Sequence, residues 1–244
     1  MLSLNLPKKK GLFITATDTG VGKTMIAGGI ARLLTDEGLQ VGVYKPIASG
    51  CNRGPYGLVS TDAEFLAMCI DNADPTTIIN PVSYETPAAP IVCEVREDRV
   101  VDFEAVASIY RSLCQRKDIV IVEGIGGVRV PISKGVDVLN LMREFALPAV
   151  VVARPDLGTI NHTLLTADAI RAAGLYVAGI VINGFNAATA GPAEETVAEV
   201  LRKWTQAPIL AVVPHDPLSS VEHGKLGSVV LDALCDCDWE SLAG

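Results

Sequence analysis

Short β-branched runs, each apolar at consecutive positions, recur along this chain with helix-like stretches between them. They cover residues 12–15, 41–44, 119–122, 149–153, 178–182 and 209–213. A strand with one wet face alternates apolar and polar residues, whereas a strand covered on both faces is apolar throughout. The runs therefore predict a parallel sheet with helices on both sides. Amphipathic stretches fill the intervals at 23–37, 103–115, 138–145, 161–173 and 193–203. Gly38 and Gly174 follow helix ends, where a left-handed cap favours glycine. Asp102 and Pro192 stand at helix starts. This alternation implies an open, mostly parallel α/β sheet with right-handed crossovers. No linker, repeat or low-complexity tract divides it, so residues 1–244 read as one domain. The stretches 50–61 and 72–90, rich in Gly, Pro, Asn and Ser, read as long loops over one sheet edge. Loops of that length in a compact domain usually carry function.

Charge and cysteine usage narrow the partners. The chain has 28 acidic and 20 basic residues, a formal charge of −8. Gripping nucleic acid by bulk charge needs the opposite surplus, so no nucleic-acid partner is expected, although a small local anion site remains open. The hydrophobic share of 49% excludes a disordered chain. The 6 cysteines form no C-x-x-C pair and read as free thiols in a reducing compartment. No apolar run approaches the roughly 18–20 residues of a bilayer span. The lysines at 8–10 follow a short apolar stretch, the reverse of a signal peptide. The expectation is a cytoplasmic protein with no membrane partner.

The strongest local signal follows the first run: Ala16-Thr17-Asp18-Thr19-Gly20-Val21-Gly22-Lys23-Thr24. A buried strand enters a glycine-containing turn, then Lys-Thr, then a helix, which is the setting of a phosphate-binding P-loop. Gly20 and Gly22 let successive backbone N–H groups converge on phosphate oxygens, and the helix aims its positive end at the same point. Lys23 reaches β- and γ-phosphates, and the Thr24 hydroxyl suits Mg²⁺. The common pattern has a glycine where this chain has Thr17, so an incidental Lys-Thr after a glycine turn is the competing reading. A second buried run ends in Glu123-Gly124-Ile125-Gly126-Gly127. Ligands of open α/β sheets bind beyond the carboxyl ends of strands, where Glu123 completes a magnesium shell or is merely solvated. A third segment, Tyr44-Lys45-Pro46-Ile47-Ala48-Ser49-Gly50, brings Lys45 to the same edge.

Together with Gly158-Thr159-Ile160-Asn161-His162, these segments resemble the dethiobiotin synthetase family in order and spacing from Phe13 to about Pro214. The resemblance implies a P-loop NTPase-like three-layer architecture and an ATP- and Mg²⁺-dependent ligase of biotin synthesis. Its substrates would be 7,8-diaminopelargonic acid and CO₂, joined through a carbamate and a carbamic-phosphoric anhydride. By that resemblance Lys23, Lys45, Thr19 and Ser49 act in catalysis. ATP contacts fall to Thr19, Gly20, Val21, Gly22, Lys23, Thr24, Met25, Glu123, Gly126, Asn183 and Pro214. Magnesium falls to Thr24, Asp62 and Glu123. Lys45, Ser49, Gly158, Thr159, Ile160 and Asn161 bind the substrate, the last four receiving its carboxylate across a homodimer interface.

Bland alternatives stand beside these roles. Asp62 also reads as a helix N-cap, Asn161 as a cap serving only the backbone, and Asn183 as part of an Asn-Gly turn with Gly184. Gly20 replaces a glutamate found in some family members, and Ala16 replaces a glycine. His162, His215 and His223 have no metal-ligand spacing to one another. The rival function is a partition-type ATPase switch. Such proteins carry a second lysine early in the P-loop, and residues 17–19 contain none. A glutamine-consuming synthetase needs a further domain with a nucleophilic cysteine, and the chain leaves no room for one.

Overall fold

Apolar side chains at consecutive positions give the first strand two covered faces, and every residue of Gly11–Ala16 is buried. The computed structural model describes residues 2–71 and 75–244. Its elements run β1 (Gly11–Ala16), α1 (Lys23–Asp36), β2 (Val41–Tyr44), β3 (Ile47–Ala48), β4 (Asn52–Gly54), β5 (Gly57–Val59), α2 (Thr61–Cys69), α3 (Thr76–Ile79), β6 (Val82–Ser83), α4 (Pro90–Arg96) and α5 (Phe103–Arg116). There follow β7 (Ile119–Glu123), β8 (Pro131–Ser133), β9 (Val136–Asp137), α6 (Val138–Phe145), β10 (Ala149–Ala153), α7 (Thr159–Ala172), β11 (Val177–Phe185), α8 (Pro192–Trp204), β12 (Ile209–Pro214), α9 (Ser228–Leu234) and α10 (Trp239–Leu242).

The main sheet has six strands in the order β12-β11-β10-β1-β7-β2, and every neighbouring pair is parallel. Leu12, Ile14 and Ala16 pack with α1, α2, α9 and α10, among them Ile26, Ile30, Phe65 and Trp239. Phe13 faces the other way, toward α5 to α8, with Tyr110, Phe145 and Ile170. Three layers result. On the second face the rings of Phe145 and Tyr110 meet edge to face at 4.7 Å, and the Tyr44 hydroxyl donates to the Val106 carbonyl at 2.7 Å. Each such buried aromatic contributes about 1.5–3 kcal/mol relative to exposure.

The expected strands and helices agree with these elements to within a few residues. Gly38 and Gly174 have φ of 90° and 77°, as left-handed helix ends require. The Asp102 side chain accepts from the Ala105 N–H at 2.8 Å, and Pro192 opens α8. The loop reading of 50–61 is incomplete, because β4 and β5 pair there as an antiparallel hairpin. Strands of three residues are too short for periodicity to reveal. Of the loop expected at 72–90, residues 72–74 lie outside the described residues; the rest holds α3 and β6. β6 pairs in parallel with β3, matching Ile47 to Val82 and Ala48 to Ser83.

Two features place the site. Ile14 is in register with Glu123, and the Gly124 N–H donates to the Ile14 carbonyl at 3.0 Å, so the carboxylate lies beside the end of β1. At the opposite edge the Gly11 N–H donates to the Ala243 carbonyl at 3.0 Å, and Lys10 pairs with Glu240 at 2.8 Å. No helix among the described residues is long and apolar enough to cross a membrane, and the six cysteines are free.

Candidate active site

The turn between β1 and α1 is built by glycine geometry. Gly20 and Gly22 have φ of 75° and 88°, a region L side chains rarely enter. A Cβ on Gly22 would also land on the Asn183 amide, which donates through Nδ2 to the Val21 carbonyl at 2.9 Å. Gly22 precedes α1 without any side-chain cap, so the first N–H groups of that helix remain free for an anion.

Four charged groups and a hydroxyl converge beyond this turn. Glu123 is 0% exposed. Its Oε1 accepts from Thr24 Oγ1 at 2.8 Å and from Lys45 Nζ at 2.7 Å, and lies 4.0 Å from Lys23 Nζ. Lys45, 3% exposed, also donates to Asp62 Oδ2 at 2.6 Å. Burial pulls the Lys45 ammonium down, but the Glu123 and Asp62 carboxylates outweigh it and hold its pKa above the usual lysine value. Burial pulls Lys23 down, and repulsion from Lys45 adds to this, so its pKa falls below the usual value. Burial pushes Asp62 up, yet Lys45 prevails and keeps it below the ordinary carboxylate range.

The predicted residues assemble around this cluster. Thr19, Gly20, Gly22, Lys23, Thr24, Lys45, Ser49, Asp62 and Gly126 line one cleft of about 340 Å³, with Glu123 beneath it. Met25, Asn183 and Pro214 line an adjoining cleft with His215, and the two clefts share Gly22 and Val221. The N-cap of α2 is Ser60, whose Oγ accepts from the Ala63 N–H at 3.3 Å. The capping alternative for Asp62 is thereby overturned, and its carboxylate is given to Lys45. Asn183 and Gly184 lie within β11 at a register shift, so the simple Asn-Gly turn is also overturned.

Gly158, Thr159, Ile160 and Asn161 line neither cleft of their own chain. α7 begins at Thr159, two residues before the expected start, after Gly158 with φ of 96°. Its N-terminus has no side-chain cap, and Thr159 Oγ1 is buried without a partner. Asn161 is therefore not the cap, and the Thr159 N–H donates to the Asp156 carbonyl at 3.1 Å.

A divalent cation suits the main cleft. Glu123 Oε2 is buried and has no partner, although its sister oxygen has two donors. With Thr24 Oγ1 and Asp62 it offers the oxygen donors that Mg²⁺ prefers. Sequence reasoning missed Arg154, which follows β10 and donates to Asp18 Oδ2 at 3.2 Å and to the Thr19 carbonyl at 3.3 Å. Its place at a strand end was the available signal. It also missed Asn80, hidden in a stretch read as loop, and Val221, in a segment without periodicity.

Comparison with known proteins agrees with this geometry. A family model described as an AAA domain matches residues 10–223. The chain is 35% identical to an ATP-dependent dethiobiotin synthetase of Thermodesulfovibrio yellowstonii, over 91% of this chain and 95% of that protein. It is 38% identical to the enzymes so named in Bacillus licheniformis and Bacillus subtilis, over 84% of this chain and 86% and 87% of theirs. Among solved structures, the cell division ATPase MinD of Pyrococcus furiosus aligns with a TM-score of 0.52 at 18% identity, covering 96% of each chain. A ParA family ATPase from Chlorobium tepidum aligns at 0.57 and 15% identity, covering 96% of this chain and 99% of that one. These two likenesses establish the parallel P-loop fold alone. The relatives, matched over most of the chain, and the lysine-carboxylate cleft lead to one conclusion: the chain belongs to the ATP-dependent dethiobiotin synthetase family.

Proposed function

We propose that this chain joins 7,8-diaminopelargonic acid and CO₂ to give dethiobiotin, using ATP and Mg²⁺, as one catalytic domain over residues 1–244 in the cytoplasm. The observation that carries the reading is the meeting of Lys23 and Lys45 on one buried Glu123 oxygen at the mouth of the P-loop. A P-loop needs only the first lysine to bind nucleotide. The second supplies charge where a further anion must approach the triphosphate.

The chemistry requires such charge. A carbamate forms on one amine of the substrate. Its oxygen attacks the γ-phosphorus as the bond to the ADP oxygen breaks, and the second amine then closes the ring on the carbamoyl carbon and expels phosphate. Carbamate and triphosphate repel each other, and fixed cations that relieve this repulsion are the principal lever in phosphoryl transfer. Lys45 neutralises the carbamate and the incoming phosphoryl oxygens, and Lys23 neutralises the β- and γ-phosphates. The Thr19 and Ser49 hydroxyls donate to the same oxygens. Gly20, Val21 and Gly22 present backbone N–H groups, and Gly126 closes the cleft. Met25, Asn183 and Pro214 flank the adenine. Thr24, Asp62 and Glu123 would hold Mg²⁺, which supplies further positive charge to the phosphate oxygens.

The substrate carboxylate goes to residues 158–161 of a second copy, in a two-fold homodimer. The N-terminus of α7, which has no side-chain cap, and the unpartnered Thr159 hydroxyl support this assignment. Leu157 and Leu165, 89% and 62% exposed beside that turn, offer apolar surface for the contact. An ADP-release assay tests the reading. Turnover should require diaminopelargonic acid, bicarbonate and Mg²⁺ together; ADP release that ignores the diamine would favour a partition-type ATPase switch.

A further inference from the structure

We infer that Asn80 is a positioning residue that sets the reach of Lys45. The inference rests on the proposed role of Lys45 in phosphoryl transfer, while its geometry stands without it. β2 ends at Tyr44 and β3 begins at Ile47, so Lys45 and Pro46 occupy a gap in which no main-sheet neighbour holds the backbone. Backbone polar groups in such a gap need other partners. The Lys45 N–H donates to the Ile79 carbonyl at 2.8 Å. The Lys45 carbonyl accepts from Asn80 Nδ2 at 2.8 Å. Both polar backbone groups of Lys45 are thus held by two consecutive residues at the end of α3.

The Asn80 side chain is committed to this task. It is 5% exposed. Its second Nδ2 hydrogen goes to the Val82 carbonyl at 3.1 Å, and its Oδ1 accepts from Ser83 Oγ at 2.6 Å. Its own N–H donates to the Thr76 carbonyl at 2.7 Å. The amide therefore ties Lys45 to β6, and β6 continues the same task along the loop. The Tyr84 N–H donates to the Ala48 carbonyl at 2.9 Å, and the Cys51 N–H donates to the Tyr84 carbonyl at 2.9 Å, on either side of Ser49. Residues 80–84 form a template on which the segment bearing Lys45 and Ser49 is laid, and Asn80 is its fixed end. Only an amide gives two donors and an acceptor in this arrangement; aspartate would set a carboxylate against two carbonyl oxygens.

A double-mutant cycle with Lys45 tests the inference. Misplacing a reacting group by about 1 Å costs on the order of 100-fold in rate. Asn80→Ala should therefore lower diamine-dependent kcat by about 10- to 100-fold, measured well below its melting temperature, with ATP affinity unchanged. In a Lys45→Ala background the same substitution should have almost no further effect. Additive losses, or a parallel loss of ATP affinity, would overturn the role. A crystal structure of Asn80→Ala reads the position of Lys45 Nζ whatever the substrate proves to be, and an Nζ still seated on Glu123 would overturn it as well. If Asn80→Ala does not fold, Asn80→Asp, which keeps the side chain's shape and removes both donors to the Lys45 and Val82 carbonyls, takes its place in both the cycle and the crystal test. Coupled losses with a displaced Nζ would again support the role, and additive losses or an unmoved Nζ would again overturn it. Wild-type protein lacking diamine-dependent turnover would instead count against the proposed function, and the crystal test would still decide the role of Asn80.

Discussion

Lys45 Nζ stands 2.7 Å from Glu123 Oε1, across 78 residues of chain, and both side chains are buried. The pair joins the end of β7 to the segment after β2, two neighbouring strands of the sheet. Lys45→Ala should cut product formation by about 10²–10³-fold, the usual cost of removing one fixed donor at developing charge. It should leave ATP binding largely intact, as measured by nucleotide titration. Because it strands a buried carboxylate, it should also cost roughly 3 kcal/mol of stability in a denaturant melt. Equal loss of ATP binding and product would place Lys45 in a different role.

Glu123→Gln bears on the metal. The substitution keeps the shape and removes the charge that faces Thr24, Lys23 and Lys45. Half-saturation by Mg²⁺ should move up by more than the roughly tenfold that loss of an outer-sphere partner costs. Chelation of the metal should stop wild-type turnover, and an unchanged Mg²⁺ dependence in the variant would remove Glu123 from the ligand set.

Gly20 and Gly22 should respond differently to alanine. Both have positive φ, a strain of about 1–2 kcal/mol for alanine. At Gly20 a Cβ meets nothing, whereas at Gly22 it strikes the Asn183 amide. Gly20→Ala should lower stability with modest change in ATP affinity. Gly22→Ala should weaken ATP more than tenfold, since it pushes Asn183 off the Val21 carbonyl. Isothermal titration of both variants makes the comparison.

Acid stability should report Asp62. Its folded pKa lies below the ordinary 3.8, held there by Lys45 against burial. The unfolded chain therefore binds more protons in that interval. The carboxylate's contribution is complete above pH 3.8 and fades as the pH falls through the folded value. The Tm advantage of wild type over Asp62→Asn should shrink below about pH 4, and a constant gap across that range would mean that Asp62 is not ion-paired.

Much of this was legible in the sequence because the strands are buried on both faces. Short β-branched runs such as 149–153 suit a strand covered on both faces, and the glycines around Lys23 mark the turn between strand and helix. Glu123 and Lys45 were visible for the same reason: each directly follows or ends a recognisable strand. Asp62 was not. From the residues alone it reads as a helix N-cap, and only the structure shows that Ser60 takes that place. Asn80 was hidden more deeply. Its partners are backbone atoms of Lys45 and Val82, and a contact with a main-chain oxygen leaves no trace in residue type. β3 and β6, two residues each, are likewise products of tertiary contact and carry no periodicity of their own.

The hydrogen bond from Gly11 to Ala243 joins the polypeptide's first strand to the residue that follows α10, on the side of the sheet away from the phosphate turn. Reopening the chain at the exposed Tyr56 of the β4–β5 hairpin, with a flexible bridge that retains residues 2–10 and their buried Leu4, would rewire connectivity while preserving each strand's neighbours.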